Sequence, residues 1–348
     1  MTTINHKPIL NALLAGNDLD APTMEQFIGA VMDGAVDEVV VAAVLAALRA
    51  KGETGTEIAA AARAMRARAL PVEILQPERA VDTCGTGGDG AETINISTAA
   101  AVVAAAAGVA VAKHGNRSVS SRCGSADVLE AAGVHLDLDP GSMAELHNEV
   151  GIAFLFAPRL HPAMKAVMPV RRTLGVRTVF NLLGPLTNPA RVERQVIGVW
   201  GRDVQPLMAA ALAELGAARG LVVHSDDGLD EISVSAPTTV IEVREGEVVG
   251  EWRVEPDQVG VRSGNSESLK GGDAEENLRR MLAILGGQEE SAASEAVALN
   301  AAAALYVAEV APNLKEGLEK CRGLLRTGTA LECLQRLAQR SGELTRNA

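Results

Sequence analysis

VAVAKHGNRSVSSRCGSADVLEAAG, residues 109 to 133, changes its period halfway along. Val109 to Ala112 is a short apolar run, whereas Ala126, Val128, Leu129 and Ala132 recur at the three- and four-residue spacing of a helix face. The segment therefore predicts a strand, a polar loop and a helix. GIAFLFA (151 to 157), QVIGVWG (195 to 201) and GLVVHS (220 to 225) repeat the apolar run, with SADVLEAAG, SMAELHNEVG and PLMAAALAELG between them. Runs without polar alternation suit strands buried on both faces, and a repeated βα rhythm implies a parallel sheet covered by helices. In SMAELHNEVG, Ser142 and Glu145 have capping-box spacing. Residues 231 to 253 predict a strand-rich excursion, and residues 273 to 340 a return to helices.

Upstream, the period is helical throughout. ILNALLAG, PTMEQFIGAVMDG, VDEVVVAAVLAALRAKG and TGTEIAAAARAMRARAL fill the chain to about residue 70, with breaks at Asn17, Pro22, Gly34 and Gly52 and with Thr23 or Thr56 as N-caps. PVEILQPERA, carrying Pro71 and Pro77, predicts a linker, because each proline biases its predecessor away from helix.

Composition narrows the classes. Of 348 residues 47% are hydrophobic but only 2% aromatic, an interior of alanine, valine and leucine. A net charge of −12 excludes a polyanion partner, since nucleic-acid affinity rests on displaced counterions and single-strand binders also need aromatic platforms. Cys84, Cys123, Cys321 and Cys333 have no metal-site spacing, so reduced thiols are expected. The opening MTTINHKPIL lacks a signal-peptide pattern, and no uncharged apolar run reaches the length of a membrane span. The expectation is a cytoplasmic protein with no membrane contact.

The other decisive stretch is CGTGGDGAETINIST, residues 84 to 98. Gly85, Gly87, Gly88 and Gly90 can turn several N–H groups toward one point, and a helix starting near Ser97 adds its positive end. Such a cradle suits phosphate. It is no P-loop, because no lysine follows before Lys113, and GTGGDG is a weak dinucleotide fingerprint, because Lys113 stands where a ribose-binding acid belongs. KHGNRSVSSRCGS supplies cations, an amide and hydroxyls from a second strand-to-helix loop. In an open parallel sheet, loops at neighbouring strand ends face one site, so the two loops are expected to converge.

GTGGD, NISTA, KHGNRSVSS, GSADVLEA, HPAMK, PVRRTLGVRTVFNLLGPLTNPA and DGLDEIS, in this order, resemble the anthranilate phosphoribosyltransferase family over roughly residues 8 to 340. The resemblance implies transfer of a phosphoribosyl group from 5-phosphoribosyl 1-pyrophosphate (PRPP) to the amine of anthranilate. It places Gly85, Gly88, Asp89, Thr93, Asn95, Ile96, Ser97 and Thr98 around PRPP. The loop of Lys113, His114, Gly115, Asn116, Arg117, Ser118, Val119, Ser120 and Ser121, with Ser125, closes over it. Lys113 serves as a point charge for phosphate, and His114 either joins it or only shapes the loop. Mg2+ is implied on Asp230 and Glu231 with a Ser97 hydroxyl, and anthranilate on Arg171, Asn116 and the Gly85 backbone. No general base is implied, since an aniline nitrogen is already unprotonated.

The resemblance also implies a homodimer formed through the helical domain. The expected architecture is α/β: a small all-α domain of residues 1–70 and about 168–190, and a large domain of residues 71–167 and 191–348 with a central, mostly parallel sheet flanked by helices. Leu160, Ala166 and Ile94 depart from the family's usual wording, and the first two are expected to alter the acceptor channel. A pyrimidine nucleoside phosphorylase and a nucleic-acid-binding relative without transferase activity are the competing readings; the first usually carries a loop such as KHSTGGVGD, and the second is opposed by the acidic charge.

Overall fold

The computed structural model describes residues 4–118, 122–261 and 264–347. Four helices open the chain: α1 (His6–Leu14), α2 (Ala21–Met32), α3 (Glu38–Lys51) and α4 (Gly55–Arg66). Their starts differ from the expected caps. Asp20 accepts from the Thr23 N–H, which makes Thr23 a first-turn residue, and Thr54 with Glu57 forms a reciprocal capping box, which puts Thr56 inside α4. Gly52, at φ 93°, ends α3 in a conformation closed to most other residues.

The α/β part follows as β1 (Val81–Asp82), α5 (Ile96–Ala106), β2 (Val111–Gly115), α6 (Ser125–Ala131), α7 (Pro140–Val150), β3 (Ile152–Phe156) and α8 (Ala157–Leu160). The cap of α7 is Asp139, whose carboxylate accepts from Gly141 and Ser142 and is followed by Pro140 in the first turn. Ser142 is thus a recipient of the cap, and Glu145 instead pairs with Arg340. After a 3-10 turn at Pro162–Ala166 come α9 (Met168–Leu174) and α10 (Phe180–Leu183), then β4 (Arg194–Gly198), α11 (Gln205–Glu214) and β5 (Arg219–Ser225). The strand-rich excursion is a hairpin of β6 (Thr238–Arg244) and β7 (Glu247–Val254). The chain closes with α12 (Ala274–Leu285), α13 (Ala292–Val307), α14 (Leu314–Arg326) and α15 (Thr329–Asn347).

One seven-stranded sheet runs β3-β2-β1-β4-β5-β6-β7. β3 to β5 are parallel, and β6 and β7 are antiparallel additions. The chain steps outward from β1 through β2 to β3, then returns to place β4 on β1's other side. That reversal is the switch point of an open α/β sheet, and ligands bind beyond the carboxyl ends of its strands.

Two cores hold the molecule. Against one sheet face pack α5 and α13, whose Ala99 to Ala101 and Ala301 to Ala304 are buried, so small side chains bring helix backbones close without aromatics. The other face contributes Ile197, Val222, Ile241 and Val243 to a core shared with α11 and the N-terminal helices. Val167, Val170, Phe180 and Leu183 also enter this second core, with α9 against α3 and α10 against α4. The carboxyl edge of β1, β2, β4 and β5 therefore faces a segment anchored in the helical bundle. Among the described residues no helix is long and apolar enough to cross a membrane.

Candidate active site

The glycine loop leaves β1 and enters α5. It is pressed onto β4: the Thr86 N–H donates to the Gly198 carbonyl at 2.8 Å, and a Cβ on Gly85 would sit 3.1 Å from the same oxygen. Gly87 and Gly88 have φ of 64° and 82°, so the turn needs residues without a Cβ. Asn95 caps α5 without a side-chain bond. The first-turn N–H of Ser97 donates to Glu231 Oε1 at 3.1 Å, so a carboxylate already occupies part of the helix's positive end.

Acids crowd this point. Asp89 Oδ1 accepts from Ala91 at 3.0 Å and its Oδ2 from the Asp230 N–H at 3.4 Å, which joins the glycine loop to the loop after β5. Burial and then the neighbouring Asp89 and Glu231 charges push the Asp230 carboxyl well above the usual carboxylate range. Burial also raises Glu231 to about 7, against the opposing pull of Lys113. Asp226 and Asp227 look elsewhere, to Arg253 and to Ser233. The DDGLDE turn thus splits into two outer acids with structural partners and two inner acids in the site.

The described residues include no ready-made metal centre of three or more His, Cys, Asp or Glu side chains. What they offer is two half-buried, mutually repelling carboxylates, Asp230 and Glu231, near the Ser97 hydroxyl. That donor set fits magnesium, which binds through one or two carboxylates and completes its shell with water and phosphate oxygens.

Lys113, expected as a point charge for phosphate, sits within β2. It is 3% exposed, and its ammonium donates to Thr83 O and Oγ1, each at 3.1 Å, and to Ser97 Oγ at 3.5 Å. It lies between Asp82 and Glu231 and lowers both carboxyl groups from what burial alone would give. Asp82 accepts from the His114 N–H and from Asn188 Nδ2, so β1, β2 and the turn before β4 share one carboxylate.

Both ring nitrogens of His114 are engaged within the protein. Its Nδ1 lies 2.9 Å from the Gly184 carbonyl and its Nε2 lies 3.2 Å from His161 Nε2. A carbonyl only accepts, so His114 carries its proton on Nδ1 and receives at Nε2 the proton of His161. Burial lowers His114 to about 4 and His161 to about 3, so both are neutral at neutral pH. The pair links β2 to the segment anchored in the helical bundle. His161 Nδ1 remains a buried acceptor without a partner among the described residues.

The other anticipated residues are distributed unevenly. Ile96 and Thr98 are buried in α5, so they can offer a ligand backbone more readily than side chain. Thr93 forms a bridge with Lys270, and the Asn95 amide is engaged by Cys123 and Asn277. Arg117 turns onto α6 and pairs with Asp127 at 3.0 Å and Glu130 at 2.7 Å. Ser118 donates its N–H to Asp127, and Ser125 and Gly124 crowd the Asn116 carbonyl below Gly115. Val119, Ser120 and Ser121 lie outside the described residues.

On the acceptor side, Arg171 of α9 is half-buried, with its guanidinium 5.9 Å from the centre of the Phe180 ring, whereas Arg172 is exposed. Among the described residues Arg171 has no ion-pair partner, and burial lowers its pKa, so an incoming carboxylate would meet an uncompensated cation. Leu160, expected in the acceptor channel, is fully buried in the sheet-side core. Arg177 escaped the sequence reading. It donates to the Gly88 carbonyl at 2.6 Å and lies 4.4 Å from the Trp200 ring centre, tying the glycine loop to the loops after α9 and β4. Only its place in GVRTVF pointed toward it.

Comparison with known proteins shows the family. The helical bundle domain of the Glycosyl transferase family matches residues 7–69, and the a/b domain of that family matches residues 77–331. Anthranilate phosphoribosyltransferase from Thermomicrobium roseum is 49% identical over 338 residues, which covers 97% of either chain. The crystal structure of the Thermus thermophilus enzyme superposes with a TM-score of 0.91 at 46% identity, covering 96% of this chain and 99% of that one. The Saccharomyces cerevisiae enzyme in complex with PRPP and Mg gives a TM-score of 0.89 at 26% identity, covering 97% and 98%.

Proposed function

The chain belongs to the anthranilate phosphoribosyltransferase family, and from that premise we propose how its own residues carry out the transfer. The reaction moves the 5-phosphoribosyl group of PRPP to the amine of anthranilate and releases pyrophosphate. Its cost lies in breaking the C1–O bond toward a diphosphate while positive charge gathers on the ribose ring. Charge compensation and alignment must meet that cost, because the attacking aniline nitrogen needs no base.

The observation that carries the reading is the meeting of the glycine loop, the α5 N-terminus, Asp230, Glu231 and Lys113 at the reversal point of the sheet. In this arrangement Gly85, Gly88, Asp89, Asn95, Ser97 and Thr98 surround PRPP, and the backbone from His114 to Ser118 forms the opposite wall. Asp230, Glu231 and the Ser97 hydroxyl hold Mg2+, in line with the magnesium in the yeast enzyme's PRPP complex. When bound, the ion neutralises charge developing on the leaving diphosphate. Lys113, whose ammonium lies 3.5 Å from the Ser97 hydroxyl, is the point charge for the leaving diphosphate, and it also offsets the charge of Glu231 and Asp82. Neutral His114 and His161 fix the distance between the donor loops and the α9 segment.

Anthranilate enters from the helical side, with its carboxylate on Arg171 and its ring near Asn116. The division into residues 1–70 with about 168–190 and the remainder fits this picture, because donor and acceptor groups then come from different bodies. A homodimer through the helical domain is part of the proposal; Leu14 and Val39, 71% and 77% exposed on α1 and α3, are apolar surface of the kind an interface covers. The four cysteines are reduced thiols, the form a reducing compartment such as the cytoplasm keeps.

Anthranilate is fluorescent, so its loss reads the reaction. Mixing the protein with anthranilate, PRPP and magnesium is expected to extinguish the signal, and leaving out either PRPP or magnesium to preserve it. A signal unchanged in the full mixture would refute the assignment.

A further inference from the structure

α12 lies outside every motif that suggested the activity, yet one of its residues reaches the donor loops. Asn277 is 1% exposed. Its Oδ1 accepts the Gly272 N–H at 2.7 Å, and its Nδ2 donates to Asn95 Oδ1 at 2.9 Å. Asn95 Nδ2 in turn donates to the Cys123 carbonyl at 3.1 Å, and the Cys123 thiol points back at Asn95 Oδ1 at 3.5 Å. The strand-like segment before α12 adds further ties: Ile94 N–H donates to Leu269, Gly271 N–H to Glu92, and Thr93 bridges Lys270.

The order of these bonds is directional. Gly272 can only donate, so Asn277 must present its oxygen there and its nitrogen to Asn95. Asn95 must then present its oxygen to Asn277, which leaves its nitrogen for the second loop. One amide on α12 thereby sets the amide orientation that fastens the glycine loop to the loop between β2 and α6. We infer that Asn277 is a positioning residue for PRPP: it touches no substrate, and it holds the two donor loops at one separation. This rests on the reading that PRPP binds between those loops.

Two substitutions test it. Asn277→Leu has nearly the same shape and neither hydrogen-bonding function. Asn277→Asp keeps an acceptor for Gly272 but, ionised, forces Asn95 to turn its nitrogen inward and lose the Cys123 carbonyl. Both variants are expected to raise the PRPP KM about tenfold, the size of one buried amide left unpaired, and the anthranilate KM less than twofold. Peptide-resolved thiol labelling should find Cys123 modified at least about tenfold faster in both, with Cys321 and Cys333 unchanged. A PRPP KM within twofold of wild type, or unaltered Cys123 labelling, in either folded variant overturns the inference. Wild-type protein that does not consume PRPP would instead sink the underlying function, while the labelling still reports on the tie between the loops.

Discussion

Replacing Glu231 by Gln should make the ligand-free protein more stable and the enzyme inactive. Burial moves the Glu231 carboxyl from 4.5 to about 7. An acid raised in this way weakens the fold once it ionises: the penalty is absent well below 4.5, grows between 4.5 and 7, and is complete above 7. At about 1.4 kcal/mol per decade the full penalty is roughly 3 kcal/mol. Gln keeps an oxygen for the Ser97 N–H and carries no charge, so Glu231→Gln should gain roughly 2–3 kcal/mol at about pH 8 and less than about 1 kcal/mol at about pH 5. Urea unfolding of chelator-treated protein at the two pH values measures the gain, and the anthranilate fluorescence assay measures the loss. A variant no more stable than wild type at the higher pH would refute the claim that this carboxylate is held in place against its own electrostatics for the sake of a cation.

Lys113→Met leaves Asp82 and Glu231 without their buried counter-charge and should cost about 3 kcal/mol in the same unfolding experiment at neutral pH, along with most PRPP turnover. Arg171→Ala removes a cation that has no ion-pair partner among the described residues and should raise the anthranilate KM by about tenfold or more while the PRPP KM stays within about twofold, as steady-state kinetics would show. Asp226→Asn, which loses only a surface pair with Arg253, should change stability by less than about 1 kcal/mol and leave turnover intact, whereas Asp230→Asn should abolish metal-dependent turnover.

The contrast between Asp226 and Asp230 shows where sequence reading stops. Composition and spacing mark DDGLDEIS only as an acidic loop at a strand end, and Asp230 and Glu231 were singled out by the resemblance alone; the physical sorting is done by Arg253 and Ser233, which draw Asp226 and Asp227 outward. The helices and strands were legible because their periods follow local rules. The N-caps were less so: the Thr54–Glu57 box is spelled out in TGTE, while Ser142 lost to Asp139 because a proline after the aspartate sets the first turn. Arg117 was expected at PRPP, and two acids three residues apart on α6 capture it.

Ties between distant segments left no local trace. His161 reaches His114 across 47 residues and Asn277 reaches Asn95 across 182, and neither pairing alters the period or composition of its own neighbourhood. Asp82 is similar, a lone acid in a short buried strand whose partners are the His114 N–H and Asn188 Nδ2. Apart from His161 Nδ1, these polar groups are satisfied as a set, which is why they hold the loop geometry and why single residues of the set gave no signal.

A crystal structure with PRPP and magnesium tests the central claim most directly. The diphosphate is expected between the glycine loop and the His114–Ser118 backbone, over the α5 N-terminus, with the cation on Asp230 or Glu231. Density for PRPP away from both loops, or a cation that touches neither acid, would contradict it.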